Sequence, residues 1–161
     1  MDTTPAAPAS GMSQDAMMAY AERVRAHRAL MVEATAALEQ ALAHPLQIPR
    51  WRERVLAAVA ELANDFRQHR DLTEGPDGWY AAIQADAPQL AGPVERLTEE
   101  HHGISAAITG ILAALEAPGP LRNAGGTREE LTELIGLLMR HRQQGSDLTY
   151  AAYQWDIGGS G

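Results

Sequence analysis

The sequence predicts an all-α protein, an antiparallel up-down-up-down four-helix bundle. Three observations lead there. Apolar residues recur at steps of three and four along four long segments, the period of a helix with one buried stripe. Segments rich in proline and glycine separate them. No alternating β-branched run and no hairpin dipeptide in strand context occurs.

The first helix is predicted from Ser13, an N-cap with Asp15 in its first turn, to about Ala43, with the stripe Tyr20, Val24, His27, Met31, Ala34 and Leu38. The segment His44 to Pro49 breaks it, and Pro49 suits the first turn of a second helix that runs to about Leu72. That helix carries Val55, Val59, Leu62, Phe66 and His69 on one stripe. The longest connection, Thr73 to Gly92, contains Gly75-Pro76-Asp77-Gly78, a short helical piece around Trp79 to Ala85, and Pro88. Pro93 opens a third helix with the stripe Val94, Leu97, His101, Ile104 and Ile108, which Pro118-Gly119-Pro120 stops. Thr127 and Glu130 make a capping box for a fourth, with Leu131, Leu134, Leu138 and His141 inward and an end near Gly145. Residues 13–157 are thus expected to form one bundle, between a disordered tail at 1–12 and a flexible tail at 158–161.

A weak internal repeat accompanies these elements. Phe66 to Thr73 echoes Leu138 to Arg142 followed by Asp147 to Thr149, and Tyr80 to Ile83 echoes Tyr150 to Tyr153. The echo predicts pseudo-two-fold helix pairs.

Bulk composition narrows the function. A chain of 161 residues with 45% hydrophobic content is sized for one core. The net charge of −8 is spread along the chain, which argues against a nucleic-acid partner. There is no cysteine, so neither thiolate ligand nor thiol nucleophile arises. No stretch approaches 18 apolar residues, and the N-terminus lacks the basic and apolar regions of a secretory signal, so no membrane partner and a cytoplasmic location are expected. Oligomeric state is not legible.

Four histidines, one on each helix stripe, carry the chemistry. His27, His69, His101 and His141 lie roughly 24, 28, 24 and 20 Å from the same end of the bundle at about 1.5 Å per residue. They therefore meet at one height. A lone imidazole on an apolar stripe is usually a core residue, but four converging from four helices is how bundles build metal and cofactor pockets. The same cluster could instead transfer protons.

The spacing resembles the hemerythrin-like, or HHE cation-binding, family over about residues 20–155. The matching motifs are the first-helix histidine, Phe66 to His69, Leu97 to His101 with Glu100 beside it, and Leu138 to His141. The resemblance implies a bundle holding two irons and acting on oxygen, peroxide or nitric oxide, or sensing iron. The family's bridging glutamate, four residues after the second histidine, is here Thr73, with Glu74 next; its second third-helix histidine is Ser105. Its fourth-helix carboxylate falls on Gly145 or Ser146, with Asp147 one step beyond. Two buried irons need anionic ligands, so the site is expected to be remodelled.

The expected metal ligands are His27, His69, His101 and His141, with Glu74 and Asp147 reaching in if the helix ends unwind, as Gly145 would permit. Tyr20 and Met31 are expected to face the cofactor. The cofactor is expected to be iron, as one ion, an altered pair or a haem. Zinc is the other candidate: the DinB-like bundle family holds one zinc through three histidines, but its late His-x-x-x-His pair is missing here. Asp65 and Glu100 are placed at the surface or behind the ligands. The expected function is an oxidoreductase or sensor handling oxygen, peroxide or nitric oxide. Two alternatives stay open: a metal-free enzyme using the histidines as general acid and base on a small metabolite, and a non-catalytic interaction module in which Trp51, Trp79 and Trp155 meet a partner.

Overall fold

A computed structural model describes residues 14–46 and 50–158, so the expectations for 1–12, 159–161, Ser13 and Pro49 lie outside the described residues, as does the Trp155 side chain, whereas Gly158, expected in the flexible tail, ends the last helix. The helices are α1 (Gln14–Ala43), α2 (Trp51–Glu74), α3 (Trp79–Asp86), α4 (Ala91–Glu116) and α5 (Ala124–Gly158). A single 3-10 turn, Pro88–Leu90, leads into α4, and no strand occurs among the described residues.

Cross-helix contacts give the directions. Tyr20 and His27 of α1 reach Leu72 and Asp65 of α2, so these two helices run oppositely. Arg52, Arg70 and Glu74 of α2 reach Leu115, Ser105 and His101 of α4, again in reverse order. Arg28 and Leu42 of α1 meet Gly145 and Arg128 of α5 in reverse order too. It follows that α5 also opposes α4, and the four long helices close a ring.

Their stripes bury two apolar blocks. The larger gathers Leu38, Val59, Leu62, Ile108, Leu131 and Leu134 among others, and the smaller gathers Tyr20, Val24, Trp79, Ile83, Leu97 and Leu148 among others. Each fully buried leucine contributes roughly 1.5–3 kcal/mol by leaving water. The four stripe histidines are buried and occupy the step between the blocks on their helices, with Val24, Phe66, Leu97 and Leu138 one turn before them.

Helix ends explain several boundaries. Asn123 caps α5: its Oδ1 accepts the Gly126 N–H at 2.9 Å, and its carbonyl accepts the Thr127 N–H and hydroxyl. The expected capping box at Thr127 is therefore displaced by one turn, because asparagine caps well and the next residues tolerate a helical turn. Arg52 donates to the carbonyls of Leu115, Ala117 and Gly119, satisfying the open C-terminus of α4. Between α2 and α3 the chain turns tightly, and a Cβ at Gly78 would lie 2.6 Å from the Thr73 carbonyl oxygen. That turn lays α3 against α1, α2 and α4.

The fourth helix corrects the sequence expectation most. It does not end near Gly145 but runs unbroken to Gly158. The repeat is not kept in its surroundings either, since Tyr80 is buried and its echo Tyr150 is 66% exposed.

Candidate metal centre

Three imidazoles converge from α2, α4 and α5. His101 Nε2 lies 2.9 Å from His141 Nε2, which lies 3.3 Å from His69 Nε2. One ring nitrogen from each lies within 4.8 Å of the others, and all three residues are buried. Phe66, one turn before His69, packs against all three rings at centroid distances of 5.9, 5.5 and 6.3 Å. Tyr80 of α3 stacks on His101 at 5.8 Å.

Carboxylates hold the outer nitrogens. His141 Nδ1 meets Glu100 Oε2 at 2.8 Å, and His101 Nδ1 meets Glu74 Oε1. Arg70 in turn donates to both Glu74 oxygens, at 3.3 and 3.2 Å. Each carboxylate accepts an Nδ1–H, which fixes the tautomer and leaves Nε2 of both rings unprotonated. Two bare lone pairs then face each other across 2.9 Å. Such a pair repels unless a cation or proton lies between them. His69 can turn an Nε2–H toward only one of them, and its Nδ1 has no partner in any case.

Burial makes protons poor occupants. It pushes His69 down to about 2 and His101 to about 3, with the neighbouring imidazoles adding to the effect. Burial lowers His141 as well, against the opposing pull of Glu100. The sign of the pH effect follows. Unfolded histidines take up protons below about 6.5, whereas folded His101 stays neutral down to about 3. The unfolded state therefore binds more protons in that window, and the metal-free fold loses stability as pH falls through it. Thermal melts of metal-free protein from about pH 7 to about pH 4.5 should show a loss on the order of 2 kcal/mol for each of His69 and His101. His101→Gln should flatten the slope, and an unchanged slope would refute the assignment.

The other expected residues are placed as follows. His27 stacks on His69 at 5.8 Å and donates Nε2–H to the Asp65 carbonyl at 2.9 Å, so it stands beside the triad with its nitrogen turned away. Glu74 reaches the outer nitrogen of His101 and not the centre. Asp147 is not brought to the triad. It is exposed and bonded to Gln143 Nε2 at 2.9 Å, because α5 does not unwind at Gly145. Met31 lines a cavity that reaches His69 and His141. Tyr20 lies behind it, stacked on Trp79 and bonded to the Leu72 carbonyl. Thr73, where the resemblance implies a bridging glutamate, turns its hydroxyl back to the His69 carbonyl at 2.8 Å.

A family model described as the hemerythrin HHE cation binding domain matches residues 18–148. The chain belongs to this hemerythrin family. No curated protein and no solved structure matches it. It is a hemerythrin-type cation-binding domain with three buried histidines positioned for a metal. No helix among the described residues is long and apolar enough to cross a membrane.

Sequence reasoning missed Tyr80, Arg28 and the role of Thr73. Tyr80 sits after a connection whose path has no periodic signal. Arg28 directly follows a stripe histidine, and only the packing of α1 on α5 turns it toward the site.

Proposed function

We propose that this hemerythrin domain binds one metal ion through the Nε2 atoms of His69, His101 and His141 and presents it to a small molecule. The observation that carries this reading is the pair of Nε2 atoms facing each other at 2.9 Å while a carboxylate meets the Nδ1 of each ring, a geometry that a bound cation relieves. Iron is the first candidate and zinc the second. Bound there, an iron would supply the oxygen, peroxide or nitric oxide chemistry of the family, or report on those molecules.

The donor set favours one ion. No carboxylate joins the three nitrogens among the described residues, and two irons would need anionic bridges. A haem fits less well, because its ring could not pass between nitrogens 2.9 Å apart. The residues around the triad have separate tasks. Glu74 and Glu100 orient His101 and His141 and offset the ion's charge. Phe66 and Leu138 keep bulk water from the nitrogens. A cavity of about 230 Å³ between α1 and α5 gives a small molecule access. With their pKa values depressed so far below neutrality, His69 and His101 are poorly matched to general acid–base work without metal.

Elemental analysis and an absorption spectrum of protein loaded with ferrous iron or zinc, then desalted, test the reading. About one ion per chain is expected; none retained would overturn it. Glu74→Gln and Glu100→Gln should each weaken metal affinity about 10–100-fold in chelator competition, the usual cost of losing a partner behind a histidine ligand.

A further inference from the structure

The cavity beside the triad is lined by three charged side chains that the metal reading does not use, of which Glu39 and Arg142 are exposed and Arg28 is not. Arg28 of α1 lines it together with His69 and His141. Its guanidinium is half-buried and donates to the Gly145 carbonyl at 2.5 Å, Thr149 Oγ1 at 3.0 Å and Ser146 Oγ at 3.5 Å. All of these acceptors are neutral. No carboxylate lies within ion-pair distance of Arg28 among the described residues. Gly145 permits the approach, since a Cβ there would lie 3.2 Å from the guanidinium.

Charge around the triad does not balance once a metal is present. The guanidiniums of Arg28 and Arg70 offset the carboxylates of Glu74 and Glu100, so a divalent ion leaves the site two charges positive. A half-buried excess of this kind calls for an anion.

The remaining walls say what the anion carries. Met31, Val32, Ala36, Phe66, Leu138 and Met139 line the same cavity, with Val32 and Met139 exposed at the seam between α1 and α5. The lining extends along α1 from Arg28 to Glu39, about 16 Å at 1.5 Å per residue. Glu39 at the far end disfavours an anionic head there and so sets the direction. Its 230 Å³ falls just below the roughly 300–1,000 Å³ of drug-sized pockets, which suits a body of few carbons.

We infer that the α1–α5 cavity binds a short apolar carboxylate, its head between Arg28 and the histidine triad and its hydrocarbon body along Met31, Ala36 and Leu138. This deepens the metal reading by naming a ligand class, and it rests on that reading only for the charge that a divalent ion adds. Arg28 is a binding residue here, and burial, which lowers its pKa, is offset when the anion arrives.

Calorimetric titration of the zinc-loaded full chain with sodium hexanoate tests the inference, with metal content measured on every sample. Saturable hexanoate binding is expected, at least about tenfold tighter than hexanol or hexylammonium, which share the body but not the charge. Arg28→Met should weaken hexanoate by about tenfold or more while metal content stays unchanged. Ala36→Trp, which fills the cavity without touching the charge, should abolish binding with metal retained. Full metal content without saturable hexanoate binding, or equal affinity in Arg28→Met, overturns the carboxylate site alone. A chain that takes up no metal overturns the metal reading instead, and hexanoate binding that Arg28→Met abolishes in that chain still upholds the carboxylate site.

Discussion

His141→Ala should cost about 10²–10³-fold in metal affinity while far-UV circular dichroism stays near the wild-type signal. Its Nε2 is the nitrogen that lies closest to both others, 2.9 Å from His101 and 3.3 Å from His69. Zinc sites with four ligands gain roughly 10–16 kcal/mol, or about 2.5–4 kcal/mol for each ligand, and each 1.4 kcal/mol is tenfold. The fold should tolerate the change because the substitution also ends the confrontation of lone pairs, and Glu100, about a third exposed, can be hydrated when its partner is gone. His27→Ala is the matched comparison. Its nitrogen is engaged by the Asp65 carbonyl, so that variant should keep most of the affinity. Chelator competition with zinc reads both. Equal losses in the two variants would mean that the ligand set is four histidines, and no loss in His141→Ala would remove the metal centre altogether.

The largest effect on stability is expected from Phe66→Ala. Phe66 is 2% exposed, belongs to the larger apolar block and touches the rings of His69, His101 and His141. Truncating a buried phenylalanine costs about 3–5 kcal/mol through lost transfer energy and the void left behind. For a chain of this size that lowers Tm by about 6–20 °C. The void would also join the cavity that Phe66 lines, letting water reach the nitrogens. Phe66→Leu keeps most of the volume and should lose less than half as much. Thermal melts of metal-free and zinc-loaded protein check both. A Phe66→Ala melt within a degree or two of wild type would mean that the ring is not a support of this layer.

The sequence made the four histidines legible because helical periodicity places inward residues at steps of three and four whatever the partner helix does. His69, His101 and His141 needed nothing more. His27 sits on an equally good stripe, yet where its nitrogen points depends on a side-chain rotation and on one carbonyl of the neighbouring helix, neither of which periodicity encodes. Glu100 shows the same gap. It was readable as lying behind the ligands, but its partner is His141, 41 residues away on another helix and not its neighbour His101. The expectation for Asp147 required α5 to unwind at Gly145, whereas that helix runs unbroken through this position and Arg28 of α1 donates to the Gly145 carbonyl. Tyr80 lies on the short helix after the Gly75–Gly78 turn, where no pattern specifies how the chain folds back.

The histidine layer between the two apolar blocks also fixes how the helices slide. Hydrocarbon packs nearly as well one turn up or down, so a bundle of leucine and isoleucine alone tolerates neighbouring alignments. Displacing α5 by one turn, about 5.4 Å, would pull His141 off Glu100 and press it among aliphatic side chains, with its ring nitrogens unanswered. Only one vertical alignment of α2, α4 and α5 satisfies both carboxylates, so the polar belt works as a pin as well as a pocket.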